Sequence, residues 1–325
     1  MILKKKKSNL TYVRIVFEVK NMKVTGIVPR GYCKGVIRAI NIVKETIEQP
    51  GPITVLGMIV HNQFIVDALK KRGAITIEDA SKTRMELLDE INEGTVIITA
   101  HGAGDCVIEK AKSKGLNVVD ATCLDVIKTH TLIKEQLKHG KDVLYIGKKN
   151  HPEAEGALLI DPEHIHLITS KKDLETLDKD KHYVMTNQTT MSLYDVYDLC
   201  EYAKDVLDDV EIMKETCSAT QIRQEAIAKM DDDIDLVIIV GDPHSNNTKK
   251  LASISTDKAH KDTKMIGSLE ELDLSWLKGK KHVGVSSGAS TPTVLTNQII
   301  DFLKQYDENN PDSFIKPEIP YEKML

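Results

Sequence analysis

Three of the five cysteines occupy equivalent positions in the chain, each at the end of a β-rich run and directly before a helical pattern. The runs are "VTGIVPRGYC", "LNVVDATC" and "VEIMKETC", and they end at Cys33, Cys123 and Cys217, which lie 90 and 94 residues apart. A single cysteine at a strand end is usually a small buried hydrophobic residue. Three at equivalent points of an internal repeat indicate a shared function instead.

Three thiolates can ligate a metal centre. A cubane [4Fe–4S] cluster held by three cysteines leaves one iron without a protein ligand, and that iron can act as a Lewis acid. Zinc is the alternative, although structural zinc sites usually take ligands from closely spaced pairs, so the spacing favours iron–sulfur. Cys106 and Cys200 have no equivalents in the repeat and are predicted to be packing or surface residues. An odd number of cysteines without a C-x-x-C motif argues against a disulfide framework.

The elements that must position the cysteines repeat as well. Each cysteine is followed by a helical pattern, then a strand, and then a polar residue 28 positions after the cysteine: His61, His151 and Ser245. A further strand near the end of each unit is followed by His101, Thr189 or Ser290. Functional groups collect at the carboxyl ends of strands in α/β sheets, so these six positions are predicted to line one site.

The alternation of strands and helices predicts parallel sheets covered by helices, and therefore the α/β fold class. We expect three similar α/β domains, arranged pseudo-threefold around a central cavity that holds an iron–sulfur cluster. The predicted domains span residues 22–122, 123–216 and 217–306. They are preceded by an N-terminal extension (1–21) with a basic run at residues 4–7, and followed by a polar tail (307–325) expected to lie extended over the surface.

Several candidate groups suit an anionic ligand. The three histidines at strand ends can donate hydrogen bonds to an anion, and Ser245, Asn246 and Asn247 precede a predicted helix start, where backbone N–H groups can bind phosphate. A plain helix cap is the alternative interpretation of that serine–asparagine run. Glu153, two residues after His151, is the one carboxylate in a strand-end motif and is a candidate proton donor.

The composition limits the possible functions. A net charge of −5, with both signs interspersed over 325 residues, argues against a general nucleic-acid or membrane binder. No window resembles a transmembrane helix or a signal peptide, so a cytoplasmic location is expected.

The ordered set of motifs resembles a known family, the 4-hydroxy-3-methylbut-2-enyl diphosphate reductases of the methylerythritol phosphate route to isoprenoids. The resemblance extends from about residue 22 to about residue 305, and it depends on the motifs "GYCKGV", "VHN", "AHG", "DATC", "HPEAEG", "NQTT", "ETC", "SNNT" and "GAS". Each motif is weak alone, whereas the ordered set with three cysteines at these spacings is specific.

The resemblance implies an iron–sulfur oxidoreductase that makes isopentenyl and dimethylallyl diphosphate. It implies that the [4Fe–4S] ligands are Cys33, Cys123 and Cys217. It implies that Glu153, working with Thr189, protonates the leaving hydroxyl. If Glu153 is not the acid, His151 or bound water is the alternative. The implied substrate-binding residues are His61, His101, His151, Thr189, Ser245, Asn246, Asn247 and Ser290. The resemblance also implies ferredoxin or flavodoxin as the electron donor, and no NAD(P) or flavin fingerprint occurs in the chain.

The chain departs from the family pattern at three places and leaves other functions open. Asn246 replaces a serine found in many members, Leu124 replaces a common proline, and Lys34 follows the first cysteine of the repeat. The alternatives are a three-cysteine hydro-lyase that needs no reductant, a metal- or redox-sensing binding protein without turnover, and a zinc hydrolase.

Overall fold

The computed structural model describes the backbone of residues 2–3 and 14–18, and both backbone and side chains of residues 22–213 and 216–325. The described strands are β1 (Ile2–Leu3), β2 (Arg14–Glu18), β3 (Lys23–Gly26), β4 (Ile53–Leu56), β5 (Ile75–Ile77), β6 (Thr95–Ile98), β7 (Asn117–Asp120), β8 (Asp142–Ile146), β9 (Ile165–Ile168), β10 (Tyr183–Asn187), β11 (Val210–Ile212), β12 (Leu236–Val240), β13 (Asp262–Ile266) and β14 (His282–Ser287). The described α-helices are α1 (Lys34–Ile47), α2 (Gln63–Lys71), α3 (Arg84–Asp89), α4 (Asp105–Ser113), α5 (Leu124–Lys138), α6 (Pro152–Leu158), α7 (Lys171–Glu175), α8 (Leu193–Val206), α9 (Ser218–Ala228), α10 (Asn246–Asp257) and α11 (Thr293–Gln305).

The strands form three sheets with one shared topology. Sheet 1 has the order β1-β2-β3-β14-β12-β13, sheet 2 has the order β5-β4-β6-β7, and sheet 3 has the order β11-β10-β8-β9. The strands pair in parallel except for β1 with β2 and β2 with β3. Apart from β1 and β2, each sheet has four parallel strands. When they are numbered in chain order, with β3 counted as the fourth strand of sheet 1, their spatial order is 2-1-3-4 in all three sheets. The predicted α/β class with three similar parallel sheets is confirmed.

One strand lies in a different sheet from the one predicted. The sequence repeat predicts that residues 22–33 belong to the first domain, but β3 pairs with β14, with Lys23 opposite His282. The strand before each cysteine therefore completes the sheet of the preceding unit, and the helix after the cysteine leads into the next sheet. The other domain boundaries stay a prediction. The basic run at residues 4–7 lies outside the described residues.

The chain folds into two compact units, and the divisions between them fall next to two of the cysteines. Unit 1 comprises Met1–Cys33, His61–Ala68 and Ser218–Leu325, and it contains sheet 1. Unit 2 comprises Lys34–Val60 and Leu69–Cys217, and it contains sheets 2 and 3.

The central strands are continuous apolar runs, as expected for parallel sheets covered on both faces. Every residue of β8, β10, β12 and β14 is buried. Helix α5 illustrates how the helices cover a sheet: it buries Val126, Thr129 and Ile133 at helical spacing. It ends at Lys138, and Gly140 follows with φ +73°, the left-handed conformation in which a glycine commonly terminates a helix.

The tail differs from the prediction of an extended surface segment. It forms two short 3-10 turns, Pro311–Phe314 and Tyr321–Met324. Met324 is only 3% exposed and belongs to the core of sheet 1, because burying its apolar side chain outweighs the polar character of the surrounding residues. Within the described residues, no helix has both the length and the hydrophobicity needed to cross a membrane.

Candidate functional site

The predicted site residues follow the strands at which each sheet reverses its strand order. In a 2-1-3-4 sheet this reversal lies between strands 1 and 3, and its carboxyl edge is the usual ligand site of α/β proteins. Strands β4, β8 and β12 are each followed five residues later by a predicted residue: His61, His151 and Ser245. The neighbouring strands β6, β10 and β14 are followed within three residues by His101, Thr189 and Ser290. The predicted location at strand ends is therefore confirmed.

In unit 2, the side chain of Glu153 lies at the start of α6 and is only 2% exposed. Thr189 donates two hydrogen bonds to its carboxyl group. The backbone N–H is 2.7 Å from Oε1, and the hydroxyl Oγ1 is 3.1 Å from Oε2. These contacts join the end of β8 to the end of β10, and they hold the carboxyl group in one orientation.

The buried environment changes the acidity of this carboxyl group. Burial raises the pKa of Glu153 from 4.5 to about 7, because desolvation disfavours the charged form. The two hydrogen bonds from Thr189 lower the pKa, and the negative charge of Asp125 raises it further. A carboxyl group with a pKa near 7 is partly protonated at neutral pH and is suited to general acid catalysis.

His151 and His101 lie next to each other in the same unit. His151 is the N-cap residue of α6, and its Nδ1 accepts a hydrogen bond from the backbone N–H of Glu153 at 3.1 Å. The proton of the neutral ring is therefore assigned to Nε2, which is a donor. The two imidazole rings pack edge to face with centroids 5.5 Å apart.

A close backbone approach brings the loop of His101 against α6. A Cβ atom on Gly104 would lie 2.6 Å from the Cβ of Leu159, which directly follows α6. A side chain at position 104 would separate the two elements. The sequence "AHGAG" therefore needs this glycine to hold His101 beside His151.

Two of the three repeat cysteines are anchored close to these groups. The backbone N–H of Cys217 donates to the carbonyl of Thr189 at 3.3 Å, so this cysteine is tied to the residue that binds Glu153. Cys123 is the N-cap of α5, and its N–H donates to the carbonyl of Ala100 at 3.0 Å. Both cysteines are half-buried.

Unit 1 contains the remaining predicted residues, and Asn247 connects several of them. Its Nδ2 is 3.4 Å from Thr220 Oγ1, and its Oδ1 accepts from Ala289 N at 3.0 Å. The carbonyl of Ala289 in turn accepts from Cys33 N at 3.1 Å. Asn247 therefore links α10 to α9 and to the segment that holds Cys33.

The two predicted site serines of unit 1, Ser245 and Ser290, already form hydrogen bonds within the protein. Ser245 is the N-cap of α10, and its Oγ accepts from Thr248 N at 3.3 Å, which confirms the predicted cap and leaves its hydroxyl proton available as a donor. Ser290 Oγ donates to the carbonyl of His61 at 3.0 Å. Ser290 would have to release that carbonyl in order to donate to a ligand. Asn246, at the first position of α10, is 6% exposed.

The structure adds residues that the sequence analysis missed. Asp125 acts on Glu153, although it appeared in the sequence only as an ordinary acidic residue in a first helical turn. Arg38 Nη1 donates to the carbonyl of Thr122 at 2.7 Å and so fixes the residue before Cys123. No local signal could have identified Arg38, because the two partners are 84 residues apart in the chain.

The two cysteines without equivalents in the repeat have packing roles, as predicted. Cys200 is buried in the core of sheet 3, and Cys106 packs against the core of sheet 2. None of the five cysteines forms a disulfide. Cys33, Cys123 and Cys217 are half-buried thiols. Thiols are soft ligands of the kind that iron–sulfur clusters require, so the chemistry of these donors fits such a group.

Comparison with known proteins identifies similar chains over almost the whole length. The family model described as LytB protein matches residues 24–304. The 4-hydroxy-3-methylbut-2-enyl diphosphate reductase of Brevibacillus brevis is 50% identical over 300 residues, covering 91% of this chain and 96% of that protein. The enzyme of the same name from Geobacillus sp. (strain WCH70) is 46% identical over 309 residues, covering 94% and 98%.

Solved structures agree with the sequence comparison. The structure of the E-1-hydroxy-2-methyl-but-2-enyl-4-diphosphate reductase from Plasmodium falciparum matches with a TM-score of 0.81 and 32% identity, covering 94% of this chain and 91% of that chain. A second structure, of an (E)-4-hydroxy-3-methyl-but-2-enyl diphosphate reductase described as the terminal enzyme of the non-mevalonate pathway, matches with a TM-score of 0.63 and 30% identity. It covers 89% of this chain and 100% of that chain.

Proposed function

The chain belongs to the LytB protein family, and on that premise we propose that it is a 4-hydroxy-3-methylbut-2-enyl diphosphate reductase. The reaction breaks the C–O bond of the substrate's allylic hydroxyl and forms a C–H bond. It consumes two electrons and two protons and releases water with isopentenyl or dimethylallyl diphosphate. The observation that carries the proposal is the match of the whole three-sheet region to enzymes of this name.

The family consists of iron–sulfur enzymes, and we assign a [4Fe–4S] cluster to Cys33, Cys123 and Cys217. Their repeat positions, their partial burial and the fact that none of them is in a disulfide support this ligand set. When bound, the cluster would supply the electrons and, at the iron without a protein ligand, a Lewis acid for the substrate hydroxyl.

Glu153 is assigned as the acid that protonates the leaving hydroxyl. Hydroxide is a poor leaving group, so bond cleavage needs a proton donor in a site with little water. The near-complete burial of Glu153 and its pKa of about 7 support this role. Thr189 orients the carboxyl group and can pass the proton on through its hydroxyl. His151, whose Nδ1 caps α6, is the alternative acid.

The other strand-end residues are assigned to the diphosphate and the rest of the substrate. A diphosphate needs several donors, because charge-assisted hydrogen bonds to an anion replace its hydration. The assigned residues are His61, His101, His151, Thr189, Ser245, Asn246, Asn247 and Ser290. The donor character of His151 Nε2 and the available hydroxyl proton of Ser245 support this assignment.

The electrons come from a separate protein in this proposal. Ferredoxin or flavodoxin is assigned as the donor, as the resemblance to the reductase family implies, and the chain contains no NAD(P) or flavin fingerprint of its own. A cytoplasmic location and the absence of nucleic-acid or membrane partners remain part of the proposal.

Anaerobic purification with iron and sulfide analysis tests the proposal. We expect iron and sulfide to be lost in Cys33→Ser, Cys123→Ser and Cys217→Ser and retained in the matched controls Cys106→Ser and Cys200→Ser. Turnover of the prenyl diphosphate should require a one-electron reductant. A colourless protein loaded with zinc would contradict the cluster, and water release without a reductant would indicate a hydro-lyase instead.

A further inference from the structure

The segment that follows α11 is built into unit 1 by its apolar side chains. Met324 is 3% exposed in the core that contains residues of α11 and sheet 1, and Ile319, Tyr321 and Leu325 pack against the same core. Burial of such a side chain stabilises its position, because apolar surface is removed from water. The end of this segment is therefore anchored in the core.

Polar contacts hold the same segment farther upstream. The ammonium group of Lys316 donates to the carbonyls of Leu272 at 2.7 Å and Glu270 at 3.2 Å. The side-chain amide of Gln298, on α11, donates to the carbonyl of Pro317. Residues 316–325 therefore follow one defined path over α11.

This path ends at the residue next to a predicted cluster ligand. The hydroxyl of Tyr32 donates a hydrogen bond to the carbonyl of Met324. Tyr32 directly precedes Cys33, whose own N–H binds the carbonyl of Ala289. The buried Met324 thus provides a fixed acceptor for the side chain of Tyr32.

The rest of the cysteine loop is held mainly through its backbone. Gly31 N donates to Ser287 Oγ at 2.8 Å, and Arg223 Nη2 donates to the carbonyl of Gly31 at 2.7 Å. These contacts locate the chain before the cysteine. The Tyr32 hydroxyl adds a side-chain contact that limits rotation of the adjoining peptide and of the cysteine that follows.

We propose that residues 316–325 form a clasp on the Cys33 loop, in which Tyr32 and Met324 are positioning residues that fix the thiol of Cys33. The proposal rests on the proposed function in one respect, because it is the assigned cluster that needs this thiol in place. A cluster ligand must be held in a narrow range of positions, and supporting contacts commonly decide how firmly it is held.

The test measures the reactivity of each cysteine in the full chain after metal removal. Tyr32→Phe removes only the hydroxyl, and Met324→Asp places a charge in the core and should displace the segment. Tyr202→Phe is the control for the first variant, because Tyr202 donates to the exposed Glu175 in unit 2. Ile315→Asp is the control for the second, because Ile315 is 74% exposed.

Alkylation of each cysteine is followed by mass spectrometry, and iron release to a chelator is followed in the cluster-loaded protein. Loss of one hydrogen bond should accelerate alkylation of Cys33 by about 2- to 10-fold in Tyr32→Phe, and at least as strongly in Met324→Asp. Iron release should accelerate with it. Cys123 and Cys217 should keep their rates, and both control variants should behave as the unmodified chain.

Two results would overturn the clasp: an unchanged Cys33 rate in both variants, or equal acceleration at Cys33, Cys123 and Cys217, which would indicate general loosening. Failure of the proposed function gives a different result. If the unmodified protein binds no iron, the cluster assignment fails, whereas the alkylation rates of the metal-free chain still decide whether the clasp holds Cys33.

Discussion

Replacing Glu153 by glutamine removes the buried carboxyl group while keeping its shape. In the folded protein burial raises the pKa of this group from 4.5 to about 7, a difference of about 2.5 pH units, which corresponds to about 3 kcal/mol. The folded state binds the proton more tightly than the unfolded chain. The stabilising contribution is therefore fully present below pH 4.5 and is lost as the pH rises through about 7.

The glutamine variant has no titrating group at this position. Between pH 5 and pH 9 the free energy of unfolding of the unmodified protein should therefore fall by about 3 kcal/mol relative to that of Glu153→Gln. Turnover should also change, because the amide cannot donate a proton as the acid does. We expect a loss of about 10²–10⁴-fold in turnover, with substrate affinity near that of the unmodified protein.

The assays are chemical denaturation at a series of pH values, steady-state turnover with an artificial one-electron donor, and a substrate-binding titration. Glu155→Gln is the matched control: Glu155 lies on the same helix, is half-buried, and accepts from Arg84 N at 2.8 Å, a bond that an amide oxygen can also accept. Native turnover in Glu153→Gln would remove this residue from the mechanism. Parallel pH–stability curves for the two proteins would refute the raised pKa.

Three further predictions concern the surroundings of the carboxyl group and the substrate donors. His61→Ala and His101→Ala should each weaken binding of the prenyl diphosphate by roughly 1.5–3 kcal/mol in calorimetry, with unchanged iron content, and the exposed His139→Ala should have no effect. Turnover should fall at alkaline pH as Glu153 loses its proton, and the pH of this fall is the alkaline limit. Asp125→Asn should move the alkaline limit to lower pH, because the charge of Asp125 raises the pKa of Glu153. Thr189→Val should move that limit to higher pH, because it removes a hydrogen bond that lowers the same pKa; a shift of either limit in the opposite direction would contradict the stated cause.

The positions of the site residues along the chain could be predicted because they depend on local pattern. Strand runs and helical periodicity locate the end of each strand, so the 28-residue spacing from cysteine to strand end was visible without coordinates. The cap at Ser245 and the glycine stop at Gly140 were also local signals. No local pattern shows to which sheet β3 belongs, because its partner strand β14 lies near the other end of the chain.

The sequence by itself determined the α/β class, the threefold repeat and the residue types at the strand ends. Only the tertiary structure decided how those residues behave. The pKa of Glu153 depends on burial, on two hydrogen bonds from Thr189 and on the charge of Asp125. These three residues lie on three separate segments of the chain. The burial of Met324 beside Tyr32 was equally hidden. Periodicity reports which face of an element is apolar, whereas desolvation and hydrogen bonding depend on which distant segments cover that face.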